Sequence, residues 1–244
     1  MRQVSDLPVV RCLLIVLLAS MALAQQRNFV SCPIVRDTKT VPCFLAEYNG
    51  ELYYLGMQQD IAGEFHAPQL KHEVLVEGRI AEGPRVCGGI PLQPVAISVL
   101  KEVNLSCNTL LPPEPGIDAA PASVRPAAST RPSDDSGEFT VLYSFNDDDL
   151  DYAGSLVVTA AADYAKRIGA AKVKVSGYRA TSLLSNGDHL IEQTGIAEKR
   201  AKNIVTLLRG LGVAGLTPEW KTDPEPGDGV TDPSRRRVTI LVAR

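Results

Sequence analysis

Three arginines near the C-terminus carry most of the recognition chemistry this sequence offers. Arg200 lies in the run Ile196-Ala197-Glu198-Lys199-Arg200-Ala201, and Arg236 and Arg237 lie in Ser234-Arg235-Arg236-Arg237-Val238. A guanidinium is a permanently charged planar fork of N–H donors that matches a carboxylate two bonds at a time. Arg200 sits about 75° from the centre of the apolar face of its helix, which places it at the rim with its stem on the core and its head emerging. On the residues alone this describes either a carboxylate receptor or a surface arginine paired with Glu198 or Asp163. Arg236 and Arg237 likewise suit either a ligand rim or pairing with Asp223, Glu225 or Asp228.

Other chemistry is sparse. The three histidines, His66, His72 and His189, have no ligand spacing, so no metal site is expected. There is no Gly-x-Ser-x-Gly and no cysteine set beside a histidine, so the chain reads as non-enzymatic and cofactor-free. Gly210-Leu211-Gly212-Val213-Ala214-Gly215 spells a dinucleotide-binding pattern but closes a helix instead of opening one, so phosphate has no helix N-terminus to meet. Asn104-Leu105-Ser106 is a glycosylation sequon where the host uses one.

Cys32, Cys43, Cys87 and Cys107 remain once the leader with Cys12 is set aside. An even set confined to one exported segment reads as two disulfides, in any of three connectivities. The leader is residues 1–24: Arg2 and Arg11 flank an apolar stretch that ends in the small-x-small run Ala22-Leu23-Ala24. That stretch is shorter than the about 20 residues a membrane span needs, so a protein without a span after cleavage is expected. A net charge of -3 and a pI near 5.7 speak against a general nucleic-acid binder.

The elements that must position these residues fall into two modules. Residues 112–136 combine six prolines with Ala, Ser, Thr and Asp and almost no large apolar side chain, the composition of a stiff tether. Before it, residues 28–111 read as a small all-β domain with strands at 41–47, 51–56, 72–80, 86–92 and 95–103. Tyr48-Asn49-Gly50 between the first two is a hairpin signal. Five short strands, a Gly88-Gly89 bend and two staples suggest a closed or half-closed barrel of OB type. Tyr48, Tyr53, Tyr54 and Phe65 are candidates for a stacking surface toward oligosaccharide or peptide, or for barrel core.

After the tether, residues 137–244 alternate strand and helix. Phe139, Val141, Tyr143 and Phe145 recur with period two, and Asn146-Asp147-Asp148-Asp149 breaks the strand. Leu156, Ala160, Tyr164 and Ile168 form a helical stripe stopped at Gly169. Val173 and Val175 make a strand ending at Gly177-Tyr178-Arg179-Ala180. A helix over 195–211 buries Ala197, Ala201, Ile204, Val205 and Leu208. A short strand at 219–222 and a last one through Val238, Ile240 and Val242 complete a β-α-β-α-β-β order, an α+β fold with helices on one face of a mixed sheet.

In order and spacing, Gly177-Tyr178-Arg179-Ala180, the Arg200-Ala201 helix and Arg235-Arg236-Arg237-Val238 resemble the OmpA-like domain, a cell-envelope module that grips peptidoglycan without a covalent bond. The resemblance covers most of 138–244. It implies a protein of the periplasm, associated with the outer membrane or other envelope proteins, that tethers its N-terminal domain to the wall. It further implies that Arg200 meets the diaminopimelate carboxylate of the stem peptide, with Arg236 and Arg237 near the rim. Two departures stand out. Ala180 occupies the position of the family's aspartate, which meets the ammonium of the same group, and Arg235 occupies an asparagine position. The connection 181–194 carries Asp188 and Glu192, and Asp188, on the turn Asn186-Gly187-Asp188, is the candidate stand-in. A fold retained for protein–protein contact is the competing reading.

Overall fold

A computed structural model describes residues 26–39, 41–57, 67–113 and 136–244. The expected leader, Phe65, His66 and most of the proline-rich tether lie outside them.

The described residues of the N-terminal module form a seven-stranded sheet. Its strands are β1 (Gln26–Ser31), β2 (Pro33–Arg36), β3 (Cys43–Tyr48), β4 (Glu51–Gly56), β5 (His72–Ile80), β6 (Ile90–Val103) and β7 (Thr109–Leu111). The order is β1-β5-β6-β4-β3-β2-β7, so the hydrogen-bonded ladder ends on β1 and β7 without closing on itself. This corrects the expectation of five short strands: residues 95–103 belong to one long β6, while 86–89 form a turn held by Val86 and Gly89 pairing through their backbones. Gly89 must be glycine, because a Cβ there would lie 2.6 Å from the Tyr54 nitrogen of β4. The predicted β3–β4 hairpin forms, with Asn49 and Gly50 both at positive φ (53° and 75°), as a tight two-residue turn between right-twisted strands demands. Phe29, Ala46, Tyr53, Leu55, Val74, Val76, Leu92 and Ile97 form the main core. The disulfides join Cys32 to Cys107 and Cys43 to Cys87.

The C-terminal module contains β8 (Ser136–Leu142), α1 (Tyr152–Ile168), β9 (Lys172–Gly177), β10 (Thr181–Leu183), β11 (His189–Ile191), α2 (Ile196–Gly210), β12 (Leu216–Trp220), the short α3 (Asp232–Arg235) and β13 (Arg237–Ala243). The sheet order is β12-β9-β13-β8, with β12 parallel to β9 and β13 antiparallel to both of its neighbours. The expected alternation is therefore present, with the β10–β11 hairpin inserted before α2. Alternating Phe139 and Val141, Val173 and Val175, and Val238, Ile240 and Val242 meet both helices in one core.

Two details of the helices differ from the sequence reading. In α1 the buried face is Val158, Ala161, Ala162 and Ala165 with Tyr164, while Leu156 is exposed. Small alanines let the helix lie close to the sheet. In α2 the expected apolar residues are buried, and so is Arg200, at 0% exposure. Asp151 caps α1 by accepting from the Gly154 N–H, and Gly169 ends it in the left-handed region at φ 63°.

Candidate functional site

The placement of Arg200 begins with a close approach. A Cβ on Gly177, at the end of β9, would lie 2.1 Å from the Ala197 carbonyl oxygen, so only glycine lets α2 pack so tightly against this strand end. Ala201 fits the same contact, and Arg200, its neighbour, is carried inward with it. The expected rim position is thus corrected: the guanidinium does not emerge but ends in a closed polar chamber between β8, β9 and the hairpin.

All five of its donors are used. Nε donates to the Asp147 carbonyl at 2.7 Å. One terminal nitrogen donates to the Tyr178 carbonyl at 3.2 Å and to Glu192 Oε2 at 3.1 Å, and the other to the Ser144 carbonyl at 3.0 Å and Glu192 Oε1 at 2.6 Å. The Tyr143 ring lies beside the guanidinium, 4.8 Å from its centroid. Burial pushes the Tyr143 hydroxyl well above the usual tyrosine range, against the opposing pull of the Arg200 charge.

Glu192 is saturated in the same way. Besides the two-pronged pair with Arg200, Oε1 accepts from the Asn146 N–H at 2.9 Å and Oε2 from the Ala180 N–H at 2.9 Å. Both side chains of the pair are at 0% exposure. The β10–β11 hairpin delivers this carboxylate: the residue follows directly on β11, and Arg179 donates to its carbonyl at 2.6 Å. Ala180, also fully buried, meets Glu192 through its backbone N–H.

Asp188, the expected stand-in, is not the carboxylate at Arg200. It sits exposed on the hairpin turn, accepting from the Asn186 amide at 2.7 Å. Both acids were visible in the 181–194 connection. The turn leaves Asp188 in solvent, whereas strand geometry carries Glu192 into the chamber.

Arg236 and Arg237 are drawn to different partners. Arg236, 1% exposed, forms a two-pronged pair with Glu77 of β5 at 3.1 and 2.5 Å and donates to Ser182 Oγ at 2.9 Å. It is thus a buried bolt between the two modules and not a ligand rim. Asn28 of β1 adds a second bolt, its amide donating to the Leu183 and Gly229 carbonyls while its backbone N–H and C=O both bond Ser185. Arg237 pairs with Glu225 at 2.8 and 3.0 Å and covers the Tyr178 ring at 4.2 Å, and Arg235 pairs with Asp228. The local pairing expected as the competing role of this basic run therefore describes Arg235 and Arg237.

The buried roles of Glu77, Asn28 and Asp232 carry no signal in the sequence. Glu77 follows the exposed-looking phase of β5, opposite Val74 and Val76, yet it is buried because the second module covers that face. Asp232 is fully buried and accepts from the N–H groups of Leu183, Asp228 and Gly229. Burial pushes its carboxyl up against the pull of those donors. Among the described residues no group of three His, Cys, Asp or Glu side chains is placed to hold a metal ion, and no helix is long and apolar enough to cross a membrane.

No family model and no curated protein matches the chain. Among solved structures it is similar to the OmpA-like domain of FopA1 from Francisella tularensis subsp. tularensis SCHU S4, with 18% identity and a TM-score of 0.37, over 46% of this chain and 76% of that one. It is also similar to a MotB-like protein from Desulfovibrio vulgaris, with 18% identity and a TM-score of 0.35, over 45% of this chain and 76% of that one.

Proposed function

We propose that this chain is a non-enzymatic protein of the cell envelope whose C-terminal module is of the peptidoglycan-associating type, with its carboxylate receptor filled from within by Glu192. The observation that carries the reading is the full use of the Arg200 donors inside the chain. The resemblance puts a stem-peptide carboxylate against this arginine and an aspartate beside it. Here an internal carboxylate takes the first place and the Ala180 backbone the second. The two disulfides suit an oxidising compartment such as the periplasm. In this arrangement the module serves as a body bolted to the N-terminal sheet, and partners engage the outer surface of the pair.

An incoming carboxylate would have to replace one that already holds four hydrogen bonds, and removing a partner from a buried charge pair costs about 3–5 kcal/mol. The test is co-sedimentation of the disulfide-bonded chain with isolated peptidoglycan sacculi, with and without free diaminopimelate. The native protein is expected to show no pelleting that diaminopimelate displaces. Pelleting that diaminopimelate displaces, and that Arg200→Lys abolishes, would overturn the reading and make Arg200 a working receptor.

A further inference from the structure

Where the modules meet, the β3–β4 hairpin faces the β10–β11 turn across open space. One cleft of about 370 Å³ is lined by Arg27, Tyr48, Asn49, Glu51, Tyr53 and Ser185. A second of about 230 Å³ shares Tyr48 as a wall and brings in Asn186 and Asp188 from the turn. We propose that these clefts form one binding site for a short run of pyranose sugars without net charge, with Tyr48 as its platform.

The chemistry of the walls points to this class. Tyr48 is held flat by stacking on Phe29, with centroids 4.7 Å apart and an 11° interplanar angle, so the ring is oriented before any ligand arrives. An aromatic face of this kind suits the C–H-rich face of a pyranose. Around it stand groups of both hydrogen-bonding senses: the amides of Asn49 and Asn186, the hydroxyl of Ser185, the carboxylates of Glu51 and Asp188, and Arg27, whose Nε donates to the Tyr53 hydroxyl at 3.1 Å. A ring of hydroxyls needs donors and acceptors interleaved in this way, and the walls favour neither sign of charge: Asp188 is balanced by Arg27, and Glu51 is already paired with Arg85 at 2.7 Å.

A peptide fits less well. Strand addition needs a run of free backbone at a sheet edge, and Ser185 already occupies both the N–H and the C=O of Asn28 on the outer edge of β1. The combined space lies in the range of ligand pockets, about 300–1,000 Å³. The site needs both modules, which is a reason for the buried bolts between them. It does not involve Arg200, so its failure and that of the reading above are separable.

The test is calorimetric titration of the disulfide-bonded chain with chitotriose, cellotriose and maltotriose, alongside an anionic trigalacturonate and a neutral extended peptide. Saturable binding of at least one neutral trisaccharide is expected. It should weaken about tenfold or more in Tyr48→Ala, stay within about twofold in Tyr48→Phe, and weaken in Asp188→Asn, which alters only an exposed turn. Amide chemical-shift dispersion checks that each variant is folded. Absence of neutral-sugar binding, preference for the anion or the peptide, or affinity unchanged in both Tyr48→Ala and Asp188→Asn would each overturn the proposal.

Discussion

At the scale of single residues, Arg200 and Glu192 depend on each other. Each is fully buried, and each is the other's two-pronged partner. A buried pair of this kind contributes little over an apolar filling, but losing one member leaves an uncompensated charge. Glu192→Gln is therefore expected to lower stability by about 3–5 kcal/mol, read as a shift of the urea midpoint at unchanged slope. Combined with Arg200→Met, the loss should fall short of the sum of the two single losses by about 0.5–3 kcal/mol, the coupling range for residues in one network. Strict additivity would mean that the two side chains do not meet. The types of both residues were readable in the sequence. Their pairing was not, because the 75° offset of Arg200 describes an isolated helix and not one drawn against Gly177.

At the scale of elements, the loop before α3 depends on Asp228. Its carboxylate accepts from the Val230 and Thr231 N–H groups and the Thr231 hydroxyl, and it pairs with Arg235. Partial desolvation pulls the carboxyl upward, but those hydrogen bonds and the arginine outweigh it and hold the group well below the usual carboxylate range. The unfolded chain, with a carboxyl pKa of about 3.9, takes up a proton on acidification before the folded one does. The stabilisation is thus fully present above pH about 4 and is lost as pH falls toward the depressed folded value. Urea midpoints between pH 6 and 3 should fall less steeply in Asp228→Asn than in the native chain, and equal slopes would count against the loop geometry. Elements of this size were largely legible in advance. Period-two strands and the Asn49-Gly50 turn depend on local steric rules, whereas the β10–β11 hairpin was missed because its three-residue strands are too short to show a period.

At the scale of the whole molecule, the two modules are joined by a buried charge pair between Glu77 and Arg236 and by the Asn28 amide. Ser98 Oγ adds to the seam by accepting from the Phe145 N–H at 2.8 Å. Separating the modules would strand buried charge on both sides. The chain should therefore unfold as one cooperative unit. Fluorescence of Trp220, the only tryptophan, reports on β12, and the backbone amide signals of β5 report on the other module. Their urea transitions are expected to coincide in the native chain and to shift together to lower urea in Glu77→Gln. Separate transitions in the native chain would show that the seam does not couple the modules.

What depends on neighbours along the chain was legible in the residues alone: the alternation of Val173 and Val175, the apolar stripe of α2, and the turn at Asn49-Gly50. Where the charges ended depended on the packed fold. Glu192 closes on Arg200 and Glu77 on Arg236, across 8 and 159 residues of sequence. The physical reason is desolvation. A charged side chain on a strand or helix looks like a surface group until another element covers it. Once covered it must find its opposite charge wherever the fold has brought one.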